Sequence, residues 1–204
     1  EASVSGYNST NTHKPETLDI TGTKTWNDSN NQDGKRPKSI TVNLLANGII
    51  TDTKTVTADD NWTYSFTDLP KYANGQEITY TVSELTVPGY TTTIDDNYNI
   101  TNSYTPGETS ASVTKIWDDA DNQDGIRPES ITVNLFADGT KIKSQSVSAD
   151  AAGNWSYSFT DLPKYANGQE ITYTVTEDAV DGYTTESDGY NFINSNQTET
   201  TEIT

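Results

Sequence analysis

Apolar and polar residues alternate over short stretches of this chain and never settle into a helical period. Side chains on a strand point to opposite faces in turn, so such alternation predicts half-buried strands. In the first half it predicts strands at Ile20–Trp26, Ser39–Leu45, Ile49–Val56, Trp62–Thr67, Ile78–Glu84 and Tyr98–Tyr104. Between them lie clusters that favour turns: Asn30–Pro37, Ala46-Asn47-Gly48 and Tyr72-Ala73-Asn74-Gly75. No segment of helical length carries a 3.6-residue period. The pattern predicts an all-β protein of Greek-key, immunoglobulin-like β-sandwich type.

The pattern occurs twice. Lys24-Thr25-Trp26-Asn27-Asp28 returns as Lys115-Ile116-Trp117-Asp118-Asp119, Asn31–Gly34 as Asn122–Gly125, and Arg36-Pro37 as Arg127-Pro128. The run from Ser65 to Val82 returns unchanged from Ser158 to Val175. The offset is 91 from Lys24 to Lys115 and 93 from Val82 to Val175, so two residues enter near Ala151-Ala152-Gly153, where a turn is expected. Two tandem modules follow, over 18–106 and 107–197. The short joint Thr105–Ser110 predicts closely coupled modules arranged end to end. Tyr7–Pro15 aligns with Tyr98–Pro106, so 1–17 reads as the tail of a preceding repeat with its linker. The stretch 198–204 resembles Glu16–Thr21 and reads as the lead-in to a following one. Together with the absence of Met, this points to a piece of a longer repetitive chain.

Hydrophobic residues make up only 31% of the chain, a composition that raises disorder as an alternative. The four Trp and twelve Tyr argue against it, because they fall within the alternating, β-branched stretches. The formal charge of −18, from 30 acidic and 12 basic residues, repels phosphate backbones and anionic lipid. Nucleic-acid and membrane-surface partners are therefore not expected. Cysteine is absent and His13 is the single histidine, which leaves little for thiolate or imidazole metal sites and points to no cofactor.

Strand parity then singles out three polar residues per module. Ile20, Lys24 and Trp26 share a face, Ile78, Tyr80 and Val82 share theirs with Glu84, and Tyr98 and Ile100 share theirs with Asn102. The second copy repeats this with Lys115 beside Val113 and Trp117, Glu177 beside Tyr173 and Val175, and Asn194 beside Tyr190 and Phe192. Lys54 shares parity with Val56, but its counterpart is Gln145. A buried ammonium and carboxylate are costly unless paired or neutralised. One outcome is a rim position or a plain buried salt bridge capped by the Asn. The other is chemical. Desolvation favours a neutral amine and a neutral acid, the amine is a nucleophile, and the acid can polarise the Asn amide. Attack of Lys Nζ on Asn Cγ would then expel ammonia and leave an amide cross-link, once per module.

At these residues the chain resembles the B-type repeats of Gram-positive collagen adhesins, the CnaB family. The resemblance rests on Lys-x-Trp-x-Asp, Asn-Gln-Asp-Gly-x-Arg-Pro, Asp-Leu-Pro-Lys-Tyr, Tyr-Thr-Val-x-Glu and the closing Ile-Thr-Asn-x-Tyr-Thr-Pro. It implies Lys–Asn isopeptide bonds between first and last strands, assisted by an acidic residue on a neighbouring strand. Carried over by position, these are Lys24 and Asn102 with Glu84, then Lys115 and Asn194 with Glu177. The second module departs from the pattern by lacking the Tyr-Thr-Pro ending, so Asn191 and Asn196 compete with Asn194. The resemblance further implies an extracellular, wall-attached stalk whose partners are neighbouring repeats. It implies no turnover enzyme, only single-turnover self-modification.

The competing class is an adhesive module that binds a host protein, a glycan or calcium directly. Asp28–Gly34 and Asp119–Gly125 resemble a calcium loop, but the Gly falls one residue late and no bidentate Glu follows, so a side-chain-held turn is expected. Trp62 and Trp155, candidate adhesive aromatics, share parity with core positions instead. Leu69–Ala73 begins like a sortase signal but lacks its Thr-Gly, and Asn61-Trp62-Thr63 is a chance glycosylation triplet in a Thr-rich chain.

Overall fold

The computed structural model describes residues 2–196, and the stretch 198–204, read above as a lead-in, lies outside them. The described residues contain strands and turns and no helix. They form two compact units, one of residues 2–31 and 35–105 and one of residues 32–34 and 106–196.

A hairpin of β1 (Ala2–Ser5) and β2 (Asn8–Asn11) precedes the first module. The module itself comprises β3 (Thr17–Asn27), β4 (Ser39–Ala46), β5 (Ile49–Thr57), β6 (Thr63–Pro70), β7 (Tyr72–Ala73), β8 (Gln76–Glu77), β9 (Tyr80–Glu84), β10 (Thr91–Ile94) and β11 (Ile100–Ser103). One sheet has the order β10-β11-β3-β6 and the other β5-β4-β9, with β7 and β8 as a separate short ladder. The first and last strands of the module, β3 and β11, lie side by side and parallel, with Ile100 opposite Lys24 and Asn102 opposite Trp26. All other pairings are antiparallel.

The second module repeats the plan with β12 (Glu108–Asp118), β13 (Ile131–Ala137), β14 (Thr140–Val147), β15 (Trp155–Pro163), β16 (Tyr165–Ala166), β17 (Gln169–Glu170), β18 (Tyr173–Glu177), β19 (Thr184–Asp188) and β20 (Asn191–Ser195). Its sheets run β15-β12-β20-β19 and β14-β13-β18. Again the first and last strands, β12 and β20, are parallel neighbours.

Alternation makes these sheets one-sided. On β3 the residues Ile20, Gly22 and Lys24 are buried while their neighbours are exposed, and on β4 the buried residues are Ile40, Val42 and Leu44. Phe66 and Phe159 sit fully enclosed in the two cores. Truncating either to Ala would cost about 3–5 kcal/mol in lost contacts and cavity. Asn47-Gly48 closes β4 to β5 in two residues, both at positive φ (50° and 82°). That mirror-image turn matches the twist of the strands, and it needs residues that tolerate the left-handed region.

The structure differs from the sequence expectation in several places, among them the short ladder of β7 and β8 where a turn was expected. Strand β9 starts at Tyr80 rather than Ile78, and β11 at Ile100 rather than Tyr98, whose φ of 62° ends the preceding turn. Strands β10 and β19 were not anticipated, because Thr91–Ile94 and Thr184–Asp188 carry no apolar alternation. Finally, Trp62 precedes its strand in a left-handed conformation (φ 56°) and is half-buried, whereas Trp155 opens β15 and is buried. The two extra residues of the second module relax that turn. Both indoles still meet the partner Trp edge-to-face, Trp62 on Trp26 and Trp155 on Trp117, at 5.3 Å.

Candidate functional site

Lys24 lies mid-strand on β3 with its side chain turned inward, and Glu84 ends β9 in the opposite sheet. Their side chains are both 0% exposed, and Nζ and Oε1 stand 2.9 Å apart. Neither group emerges at a rim. The separation is that of an ion pair, but the two atoms are not aligned as a directed hydrogen bond. In the second module Lys115 Nζ lies 3.2 Å from Glu177 Oε1 and donates to Oε2 at 3.4 Å. Burial lowers the proton affinity of both lysines below the ordinary 10.5, and the facing glutamate offsets only part of that effect. Each ammonium also sits over an indole, Lys24 over Trp26 at 4.5 Å and Lys115 over Trp117 at 4.4 Å.

Asn102 and Asn194 are 0% exposed. Parallel pairing puts Asn102 beside Trp26, two residues along from Lys24 and therefore on the same face, and Asn194 beside Trp117 in the same relation to Lys115. In both residues neither Nδ2 nor Oδ1 has a hydrogen-bond partner. A buried polar group left in that state costs about 1–3 kcal/mol, so two per module is a large, repeated expense. The competitors are placed differently: Asn191 is exposed, and Asn196 spends its amide on the Gly182 carbonyl at 2.8 Å.

Sequence reasoning missed Thr92 and Thr185. Thr92 Oγ1 donates to Glu84 Oε2 at 2.8 Å, and Thr185 Oγ1 to Glu177 Oε2 at 3.2 Å. The available signal was the Thr-rich run itself, which lacks the apolar alternation that marks a strand.

The Asp-rich loops resolve into clasps. Asp28 is buried and receives Arg36 Nε at 3.0 Å and Nη2 at 2.6 Å, the Asn31 N–H at 2.9 Å and Tyr90 Oη at 2.8 Å. Asn31 Oδ1 in turn accepts the Arg36 N–H. The spacing Asp-x-x-Asn-x-x-x-x-Arg is thus the spacing of one hydrogen-bonded loop. Asp119, Asn122, Arg127 and Tyr183 repeat it. Arg36 and Arg127 also lie over Trp26 and Trp117 at 5.5 Å, so each clasp lies against the indole that covers the lysine. Burial pushes the Asp28 carboxyl up, but Arg36, Asn31 and Tyr90 together bring it below its usual range. Arg127 leads the same effect on Asp119 and holds it at about 2. Among the described residues, no three Asp, Glu or His side chains converge as a cation site would require.

A family model for the Cna protein B-type domain matches residues 20–103 and 111–195. The collagen adhesin of Staphylococcus aureus is 49% identical over 197 residues, 94% of this chain and 16% of that protein. The crystal structure of two B repeat units of the collagen binding protein of Staphylococcus aureus matches with a TM-score of 0.80 at 46% identity. That match covers 96% of this chain and 53% of the other. The chain therefore spans a small part of its curated relative.

Proposed function

The chain belongs to the Cna protein B-type domain family, and on that premise we propose that its modules are stalk repeats of a Gram-positive surface adhesin, each closed by a self-formed amide bond. The bonds join Lys24 to Asn102 and Lys115 to Asn194. The observation that carries this reading is the pair of enclosed Asn amides with no hydrogen-bond partner, each beside a buried lysine and carboxylate.

The chemistry follows from that enclosure. Lys24 Nζ passes a proton to Glu84 Oε1, which leaves a neutral amine facing an amide that water does not reach. The nitrogen lone pair attacks Asn102 Cγ, and the bond from Cγ to Nδ2 breaks. Nδ2 departs as ammonia with the proton returned by the carboxyl. The newly bonded Nζ sheds its second proton to Glu84, so one ammonium, one carboxylate and one primary amide give one secondary amide, one ammonia and a protonated Glu84. Ammonia that carries this proton away as ammonium leaves Glu84 a carboxylate again. Each module does this once, so it is not a turnover enzyme.

The mechanical role follows from topology. The bond links neighbouring parallel strands that begin and end the module, so tension entering at β3 leaves at β11 without extending the 78-residue span from Lys24 to Asn102. Closing a loop of that length also constrains the unfolded chain by roughly 4.5 kcal/mol in the loop-entropy picture. Repeats of this kind, set in series on an extracellular wall-attached protein, would carry a separate binding region outward and resist load.

Intact mass tests the reading. The chain is expected to weigh two ammonia less than its sequence, with tryptic peptides linked at Lys24–Asn102 and Lys115–Asn194. A mass with no deficit sinks the cross-link and leaves two buried ion pairs.

A further inference from the structure

The Lys–Glu–Asn chemistry uses one oxygen of each glutamate and leaves the other to be explained. In the first module Oε1 of Glu84 faces Lys24, while Oε2 accepts the hydroxyl of half-buried Thr92 at 2.8 Å. In the second, Oε2 of Glu177 accepts the hydroxyl of Thr185 at 3.2 Å. Thr92 is the cross-strand partner of Asn102, and Thr185 of Asn194. Hydroxyl, amide and lysine therefore come from three successive strands of one sheet, and the carboxyl reaches in from the other.

The turn beside this threonine has changed length, yet the pairing has not. Ile94 and Ile100 pair across the five residues Asp95–Asn99, while Ser187 and Phe192 pair across the four residues Asp188–Asn191. One residue fewer would slip a strand and turn every side chain over if the ladder absorbed it. The turn absorbs it instead, and Thr185 again faces Asn194.

We propose that Thr92 and Thr185 are positioning residues for the cross-linking step, each fixing which glutamate oxygen exchanges protons with the lysine and the amide. This rests on the cross-linking reading above. The hydroxyl donates to Oε2, which stays an acceptor in both protonation states only if the acid proton sits on Oε1. The threonine thereby stops the carboxyl from rotating and keeps the transferred proton beside Nζ and the departing nitrogen. In the second module the hydroxyl bond is longer, Thr185 is exposed, and Lys115 also donates to Oε2, so the control there is weaker.

The test follows bond formation in the two-module chain at intervals after a short burst of cell-free synthesis, by mapping the linked peptides. Thr92→Val is expected to slow the Lys24–Asn102 bond roughly tenfold, the rate equivalent of one charge-assisted hydrogen bond. The Lys115–Asn194 bond of the same molecule should form at its wild-type rate. The acid limb of the rate–pH profile should move to higher pH, since the carboxylate loses a donor that favours its charged form. Thr92→Ser should restore both rate and profile, and Thr185→Val should slow the second bond by less than Thr92→Val slows the first. An unchanged rate in Thr92→Val overturns the proposal, as does a slower rate with an unmoved pH profile that serine does not rescue. If wild type forms neither bond, the cross-linking reading falls and takes this role with it. Normal bonds in both wild type and Thr92→Val remove the positioning role alone.

Discussion

The second module holds a lysine, an asparagine and an acidic residue together in two places. Inside, Lys115 and Glu177 meet with Asn194 on the adjoining strand, all enclosed. On the outer face of the β14-β13-β18 sheet, Lys141 Nζ donates to Asn134 Oδ1 at 3.0 Å, and Asn134 Nδ2 donates to Asp178 Oδ1 at 2.7 Å. The residue types match, but the circumstances do not. Lys141 and Asp178 are exposed, and Ser144 adds a further hydrogen bond to Asn134 Oδ1 at 2.7 Å. The outer amide is satisfied and its lysine is solvated, so nothing drives attack. The inner amide has no partner, and its lysine has lost proton affinity to burial. Asn134 is itself buried, so what separates the two sets is its satisfied amide and the exposure of its lysine and acid. Strand alternation supplies that difference: Glu177 and Asp178 are consecutive, one facing in and one facing out.

The largest expected effect tests that boundary directly. Glu177→Ala should abolish the second bond and cost the module about 4.5 kcal/mol. For a domain of this size that lowers the melting temperature by roughly 20 °C or more. Asp178→Ala should leave the bond intact and cost at most about 1–3 kcal/mol, for the acceptor it takes from Asn134 Nδ2. Calorimetry with peptide mapping reads both, and equal effects from the two variants would erase the distinction.

A smaller effect lies at the clasp beneath Trp117. Arg127 holds the Asp119 carboxyl at about 2 against an ordinary 3.8. Because the folded value is depressed, the contribution is fully present above about pH 4 and is lost as pH falls through 2. It amounts to something on the order of 2 kcal/mol. Denaturant titrations between pH 5 and 2 should show this limb in wild type and lose it in Asp119→Asn.

The subtlest effect concerns the lysines themselves. Asn194→Ala removes the bond and leaves Lys115 a free amine. Its folded proton affinity lies below 10.5, so in that window the unfolded chain binds more protons and stability rises with pH. Subtracting the same titration of Lys115→Met/Asn194→Ala isolates this slope from that of the tyrosines. A flat difference for Lys115 would mean that burial does not tune it.

Much of this was legible in the sequence because parity is a physical rule. Lys24, Glu84 and Asn102 each share a face with apolar neighbours, and the exact repeat fixed the counterparts through two changes of offset. Thr92 was not legible, since a threonine among threonines gives no sign of which one faces inward. The contrast between Trp62 and Trp155 was hidden as well. The turns before β6 and β15 take up different geometry when two residues are added, and parity counted along the chain does not register a left-handed residue. At the Asp28 loop the misplaced Gly pointed to a turn rather than an ion loop, but Arg36 as the partner that closes it was not legible until it was found in the carboxylate.

The parallel pairing of β3 with β11 also sets the order in which a module can assemble. Ile100 opposite Lys24 closes a separation of 76 residues, whereas β4 meets β5 across two. Hairpins form in microseconds, while long-range closures are slow because chain entropy is lost before contacts repay it. As the chain is threaded out, β3 can hold β6 early, but its other edge stays open until the final strand is made. During that interval the edge is a template for any extended segment nearby. Docking of β11 ends the exposure and sets Asn102 opposite Trp26, on the face that carries Lys24, so the proposed bond could form only after that last strand has docked.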